Sequence, residues 1–183
     1  KQKEIVIEQK EKVSASKVAL KKEVDQILKN RAQKKAEEIF EKQIAGKVKK
    51  DSKISEQEIK TLIAKASKGE LEVDELKEVL INNLGMSEEE VEKIISEAKS
   101  KGEDVKKVLL SKVLEETTTL SEEEVKQVIE KVQEVASETT ELLSKIGNAA
   151  TAKEIRKILE DAGDISEEAI TKIVEKNEEM LKE

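Results

Sequence analysis

The chain offers few side chains for covalent chemistry, because it contains no histidine and no cysteine. Its remaining nucleophiles are hydroxyls and lysine amines, and a hydroxyl needs a neighbouring base before it attacks a substrate. Ser14 and Lys17 have the Ser-x-x-Lys spacing, in which a lysine can be that base. No companion motif and no glycine-rich phosphate loop accompanies this pair, so we expect Ser14 to be a surface or capping residue of a helix. The sequence therefore predicts no catalytic residue and no enzyme activity.

Two acidic triplets are the next candidates, since carboxylates can bind a metal ion or exchange protons with a substrate. They are the Glu-Glu-Glu runs at residues 88–90 and 122–124. Each run follows a serine and is predicted to be a first helical turn, where a negative charge opposes the helix macrodipole and contributes about 0.3–1 kcal/mol. A di-iron site in a helical bundle would also require histidine. We therefore expect no metal ligands and no bound cofactor.

The N-terminal part of the chain is basic, as in many segments that bind nucleic acid or anionic membranes. Residues 1–53 carry 16 Lys+Arg against 9 Asp+Glu, a net charge of +7, whereas residues 54–183 carry 19 against 33, a net charge of −14. Phe40 is the only aromatic residue, so no other ring is available for base stacking. We expect the basic runs at 34–35 and 47–53 to be hydrated or to face the acidic part of the same chain, with no nucleic-acid or membrane partner.

A helix-start signature that occurs four times marks the elements that must position these residues. In each copy an apolar residue precedes a serine, whose hydroxyl can accept hydrogen bonds from the free N–H groups of a new helix. The first three copies add a Glu three residues after the serine, which can close a capping box. Thr151 and Glu154 form a further predicted box. The four serines are Ser55, Ser87, Ser121 and Ser166.

Apolar residues recur at spacings of three and four between these starts, which predicts an all-α fold of about eight helices packed as helical hairpins. The serine starts lie 32, 34 and 45 residues apart, so we expect an irregular array or bundle without a strict repeat. One long N-terminal helix is expected, with a break near Asn30 as an alternative, and glycines should end most helices. The 121–146 helix should end at Gly147, and residues 47–53 should form a polar link. The predicted helices cover residues 1–45, 55–67, 74–83, 87–101, 105–114, 121–146, 151–162 and 166–180.

We expect a single helical domain over residues 1–183, because this length supports one sizeable core. Within it, the long basic helix should occupy residues 1–46 and the acidic array of hairpins residues 54–183. No apolar run approaches the ~18 residues of a membrane span, and no signal-peptide core is recognisable. We therefore expect a soluble protein, and the sequence does not indicate its compartment.

Residues 55–114 resemble a calmodulin-like pair of EF-hands, with helix, loop, helix, linker and helix in the order of that family. If Gly69 takes the sixth loop position of the family, Leu71 takes the eighth and Glu75 the twelfth, as the pattern requires. The first, third and fifth positions then fall on residues without a carboxylate: Ala64, Ala66 and Lys68. The second loop, residues 99–104, is short and carries lysines where the family has acids. The resemblance therefore implies helical hairpins that bind no calcium.

Caps, glycine stops and acidic first turns all agree with one another, and the chain contains no proline. In this agreement between its local signals, the chain resembles a computationally designed or heavily engineered helical protein. Our leading prediction is therefore a structural protein with no catalytic activity and no required partner. The alternative is a natural helical interaction module, of a bacterial surface or effector type, that binds a partner helix or self-associates through residues 1–45. The pair Asn82-Asn83, the threonines at 117–119 and the unequal helix lengths favour this alternative.

Overall fold

The computed structural model describes the backbone of residues 2–181 and the side chains of residues 19–175. Within this range the chain forms eight α-helices and no β-strand, which confirms the predicted all-α fold. None of the described helices is both long and apolar enough to cross a lipid bilayer. In chain order the helices are α1 (Gln2–Gln43), α2 (Glu56–Ser67), α3 (Val73–Glu78), α4 (Glu88–Ser100), α5 (Val105–Thr117), α6 (Glu122–Asn148), α7 (Ala152–Ala162) and α8 (Glu167–Leu181).

The predicted long N-terminal helix is confirmed, because α1 continues unbroken through Asn30. The alternative of a break at this residue is wrong. Asn30 is exposed, and its side-chain oxygen accepts a hydrogen bond from Gln26 Nε2 at 2.9 Å one turn earlier. This bond gives the amide a partner that does not compete with the helix backbone. The side chains of Ser14 and Lys17 lie outside the described residues.

The predicted helix caps form, but most of the predicted capping boxes do not close. Each of the four serines, and Thr151, accepts a hydrogen bond from the N–H three residues later, at 3.1–3.2 Å. The return bond forms only at Ser121, whose N–H donates to Glu124 Oε1 at 3.2 Å. Glu154 instead accepts the N–H of Ala150 at 2.9 Å. The boxes predicted at Ser55 and Ser87 are wrong, since water can serve their exposed N–H groups without fixing a Glu rotamer.

The predicted glycine stops are confirmed at five helix ends, where the glycines adopt φ between 69° and 78°. This left-handed conformation costs other residue types free energy, which is why glycine ends helices so often. Gly147 is different, because it lies inside the last turn of α6 and the helix ends at Asn148. The helix predicted to end at Gly147 therefore ends one residue later. The five glycines are Gly46, Gly69, Gly85, Gly102 and Gly163.

The predicted helix over residues 74–83 changes type halfway along. It starts as α3, and Val79–Asn83 then forms a π-helix, in which a backbone N–H bonds to the carbonyl five residues earlier and the turn is wider than in an α-helix. The N–H of Leu84 accordingly donates to the carbonyl of Val79, five residues earlier, at 3.0 Å. Valine, isoleucine and asparagine are all weak α-helix formers, so this segment resists the change in geometry less than a Leu- or Ala-rich one would.

Contacts within the chain cluster into two compact units, of which the larger is Ala32–Ser137. We call it the central unit. Its core is almost entirely aliphatic, and Phe40 lies in it as the one buried ring. Fully burying one such side chain stabilises the fold by about 1.5–3 kcal/mol. The fully buried side chains of this core include Ile44, Ile54, Ile59, Ile63, Leu76, Leu80, Leu109 and Leu114.

The polar link of the central unit is more ordered than the sequence predicts. Val48 forms an isolated antiparallel β-bridge with Thr118. The N–H of Lys49 donates to the carbonyl of Thr117 at 2.9 Å, and the N–H of Thr119 donates to the carbonyl of Lys47 at 2.8 Å. β-Branched threonines favour extended backbone, so the threonine run is suited to this pairing. The bridge joins the link after α1 to the turn between α5 and α6.

The second unit, the terminal unit, combines the residues up to Arg31 with those from Glu138 onward. Its core is a separate aliphatic cluster contributed by α1, α6, α7 and α8. The single domain remains a prediction, because a division of the contacts of one chain into two clusters does not test whether the chain folds as one domain. The buried members of this core are Leu20, Val24, Leu28, Leu142, Ile146, Ile155, Leu159, Ile170 and Val174.

Arg31 is the one charged residue that is buried among the described side chains, with 4% of its surface exposed. Its Nε and Nη2 donate to the carbonyls of Gly163 and Ala162, each at 2.9 Å, and Nη2 also donates to Glu138 Oε1 at 2.7 Å. Carbonyls at a helix C-terminus lack intrahelical partners and carry partial negative charge. The Arg31 guanidinium therefore caps the C-terminus of α7 from the side of α1.

Candidate interaction groove

The loop that resembles an EF-hand contains no set of calcium ligands in this structure. Its twelfth-position residue, Glu75, forms an ion pair with Lys65, with 2.9 Å between Lys65 Nζ and Glu75 Oε2. Ala64 is buried and Ala66 half-buried, so the first and third positions present methyl groups. Among the described residues no three acidic side chains are grouped so that they could hold a metal ion.

The two acidic triplets lie in the first turns of α4 and α6, as the sequence predicts. Glu124 is the best connected of the six, because it accepts the Ser121 N–H and a bond from Lys47 Nζ at 3.1 Å. These two hydrogen bonds, the Ser121 one first, hold the pKa of the Glu124 carboxyl below its usual value. Lys47 belongs to the basic run at 47–53, so one cation of that run does face an acidic residue of the same chain.

A groove in the central unit is lined mainly by residues of α5 and α6. One stripe of α5 lines it, with Val108, Ser111 and Glu115 at spacings of three and four. A stripe of α6 lines it as well, with Val125, Ile129 and Gln133 at spacings of four. Such spacings place each set on one helix face. The groove is open to solvent and has a volume of about 950 Å³. We call it the α5–α6 groove.

Beside the α5–α6 groove lies a smaller pocket of about 150 Å³, also open to solvent, which we call the inner pocket. Asp104, Lys107, Ile129 and Gln133 line both spaces. The remaining walls of the inner pocket are largely apolar and come from the end of α2, the residues after it, α5 and α6. They include Ala66, Leu71, Leu110, Val132 and Ala136.

Gln133 brings an unpartnered polar atom to the boundary between groove and pocket. Its Oε1 is buried and has no hydrogen-bond partner among the described residues. A buried carbonyl oxygen in this situation costs about 1–3 kcal/mol relative to one that is hydrated or bonded. A bound molecule that offers an N–H or O–H group at this position would remove that cost.

The rim of the α5–α6 groove is acidic. Six carboxylates line the groove against two lysines, Lys107 and Lys126. Asp104 uses its carboxylate to cap α5, accepting the N–H of Lys106 at 2.9 Å. The other five make no ion pair with any described residue of the chain. They are Glu103, Glu115, Glu122, Glu123 and Glu130.

The sequence predictions did not identify this groove. Val125 and Ile129 lie on the apolar stripe of the predicted 121–146 helix, and both are buried. Gln133 carried a usable signal, because it lies four residues after Ile129 and three before Ala136, on the apolar stripe of α6. A polar residue within such a stripe indicates either a buried hydrogen bond or an opening to solvent.

The chemistry of the groove is suited to binding. It offers an aliphatic floor, an acidic rim, two lysines and the hydroxyls of Ser111 and Ser121. The Ser111 hydroxyl donates to the carbonyl of Lys107 at 2.8 Å, one turn back in its own helix. No protein-family model, no curated protein and no solved structure matches this chain. The groove itself is therefore the basis for a functional proposal.

Proposed function

We propose that this chain is a helical interaction module that holds a helical segment of a partner protein in the α5–α6 groove. The observation that carries the proposal is a solvent-open groove of about 950 Å³ whose lining combines the aliphatic side chains of Val108, Val125 and Ile129 with an acidic rim. Helix-in-groove recognition uses such a surface, since an amphipathic helix lays its apolar stripe along the floor and keeps its polar face in water.

The dimensions of the groove support a short helix as the occupant. Its lining extends from Asp104 to Glu115 on α5 and from Glu122 to Gln133 on α6. At 1.5 Å per residue, each lined face is about 17 Å long, which equals about three turns of a partner helix. An interface of this size is small compared with stable protein complexes, so we expect a dissociation constant in the micromolar range.

The proposal is tested with the full chain and labelled 14-residue helical peptides that share one leucine stripe and differ only in the polar face. Fluorescence anisotropy should show one-to-one binding of at least one peptide. The variant Val108→Gln, on the groove floor, should weaken that binding. Val105→Gln is the matched control, because Val105 is half-buried on the same helix but does not line the groove. Absence of binding by every peptide would contradict the proposal.

A second candidate is an engineered structural protein whose groove has no occupant. The regular helix ends favour it. Five Ser or Thr caps each accept a hydrogen bond from the backbone N–H three residues later, and five glycines end helices with nearly equal φ. Idealised helical proteins are typically very heat-stable. A melting temperature above about 90 °C would support this candidate, and one below about 60 °C, in the mesophile range, would count against it.

A further inference from the structure

We infer that the partner segment is a cationic amphipathic helix with one large apolar anchor residue. This inference rests on the proposed function of the α5–α6 groove, and it adds the charge and the anchor of the occupant. The two observations behind it are an acidic rim whose exposed carboxylates make no ion pair and the neighbouring inner pocket, which shares four lining residues with the groove.

The acidic rim selects for positive charge. Glu115, Glu122 and Glu123 lie where α5 ends and α6 begins, and Glu130 lies two turns further along α6. All four are exposed and lack an ion-pair partner among the described residues. A helix that places lysine or arginine against them gains favourable interactions, and an acidic helix is repelled. Because these charges are exposed, salt should screen the interaction.

The inner pocket selects for an apolar anchor. A cavity of about 150 Å³ holds a molecule the size of benzene, so the inner pocket, at about 150 Å³, accepts one Leu, Met or Phe side chain. Lys106 and Lys107 line this pocket with Asp104 as the only carboxylate. The lining of the inner pocket itself therefore has one more cation than anions, although Glu103 of the acidic rim is the sequence neighbour of Asp104. The cations of the partner should lie at the rim, and the anchor should enter at the Gln133 end.

The experiment compares three 14-residue peptides with the same leucine stripe and a polar face of lysine, glutamate or glutamine. The lysine peptide should bind the full chain at least about tenfold more tightly than the glutamate peptide, and an increase from 50 to 500 mM NaCl should weaken its binding. Replacing one stripe leucine by alanine should weaken binding at one position of the peptide far more than at the others. That position identifies the anchor.

The rim is tested with a quadruple variant that neutralises Glu115, Glu122, Glu123 and Glu130 by Glu→Gln substitution. This variant should bind the lysine peptide about tenfold more weakly than the unchanged chain does, and its binding of the glutamine peptide should be nearly unchanged. The matched control neutralises four exposed glutamates at comparable helix positions outside the groove lining, and so changes the net charge equally. They are Glu88, Glu89, Glu97 and Glu134. Circular dichroism of both variants checks that the helices are retained.

Several results would overturn the inference. Equal binding of the three peptides would exclude charge selection while leaving the groove as a helix-binding site, and binding of no peptide would remove the proposed function itself. If the rim variant and its control weaken the binding of the lysine peptide equally, the effect comes from the net charge of the molecule. Self-association in sedimentation that competes with the lysine peptide would identify a second copy of the chain as the occupant.

Discussion

At the residue scale, the two arginines of the chain occupy opposite environments. Arg31 is buried and donates three hydrogen bonds, two of them to carbonyls at the end of α7. Arg156 lies on the surface, and its Nε pairs with Glu160 Oε1 at 3.0 Å within one helix. A guanidinium can serve several acceptors at once because its donors form a rigid fork. The same side chain therefore has a structural role at one site and a marginal one at the other.

We expect Arg31→Ala to lower the free energy of unfolding by about 3 kcal/mol, because it removes a buried side chain that donates to two carbonyls at the end of α7. Arg31→Lys should recover only part of this loss, since an ammonium cannot reproduce the fork. Arg156→Ala is the control and should cost less than about 1 kcal/mol. Urea denaturation measures all three. Equal effects of the two alanine variants would show that Arg31 does not cap α7.

Gln133 is a second residue whose type departs from its surroundings. Because its Oε1 is buried and unpartnered, Gln133→Leu should raise the free energy of unfolding by about 1 kcal/mol. Gln127→Leu, at an exposed position of the same helix, should change it by less than about 0.5 kcal/mol. Thermal denaturation followed by circular dichroism compares the two. If Gln133→Leu destabilises the protein, the glutamine has a partner in solution, and the groove lacks the open acceptor assigned to it.

Glu124 gives the molecule a predictable response to acid. Its pKa is lowered in the folded state by the hydrogen bonds from Ser121 and Lys47. A lowered folded pKa means that the stabilisation is present above the unfolded pKa, about 4.3, and is lost as pH falls through the folded value. Carbon-detected NMR titration should find a pKa for Glu124 below the unfolded value of about 4.3, and Lys47→Ala should raise the Glu124 pKa. A Glu124 pKa at or above the unfolded value would show that the hydrogen bonds from Ser121 and Lys47 do not form in solution.

At the element scale, helix ends were predictable and their connections were not. A cap such as Ser87 or a stop such as Gly102 acts within four or five residues, so a single sequence contains the whole signal. The bridge between Val48 and Thr118 joins distant parts of the chain. The groove likewise combines Val108 of α5 with Gln133 of α6, and only tertiary structure brings such residues to one surface.

The bridge at Val48 should be a measurable source of stability. Lys49→Pro removes the N–H that donates to the Thr117 carbonyl, and we expect a loss of about 1–2 kcal/mol because that acceptor then lacks its partner. Lys50→Pro is the control. Ser52 N–H donates to the Lys49 carbonyl, which makes residue 50 the second position of a turn, where proline is favoured. If urea denaturation gives the same free energy of unfolding for both proline variants, the bridge contributes no measurable stability.

At the scale of the whole molecule, the two cores have no residue in common. The central core lies within Ala32–Ser137, and the terminal core is built from residues before and after it in the chain. Proteins open in cooperative groups of contacts as well as globally, and each group has its own free energy of opening. Leu109 in the central core and Leu159 in the terminal core are both fully buried, so they allow the two cores to be weakened separately by the same chemical change.

We expect Leu109→Ala and Leu159→Ala each to destabilise its own core by about 2–5 kcal/mol, the usual cost of such a cavity. In hydrogen exchange, Leu159→Ala should accelerate the amides of α7 and leave those of α4 and α5 nearly unchanged, and Leu109→Ala should do the reverse. The two variants control for each other, because both remove the same atoms from a fully buried site. If either one accelerates both sets of amides equally, the chain opens as a single cooperative domain, and the predicted single domain would describe it better than two units.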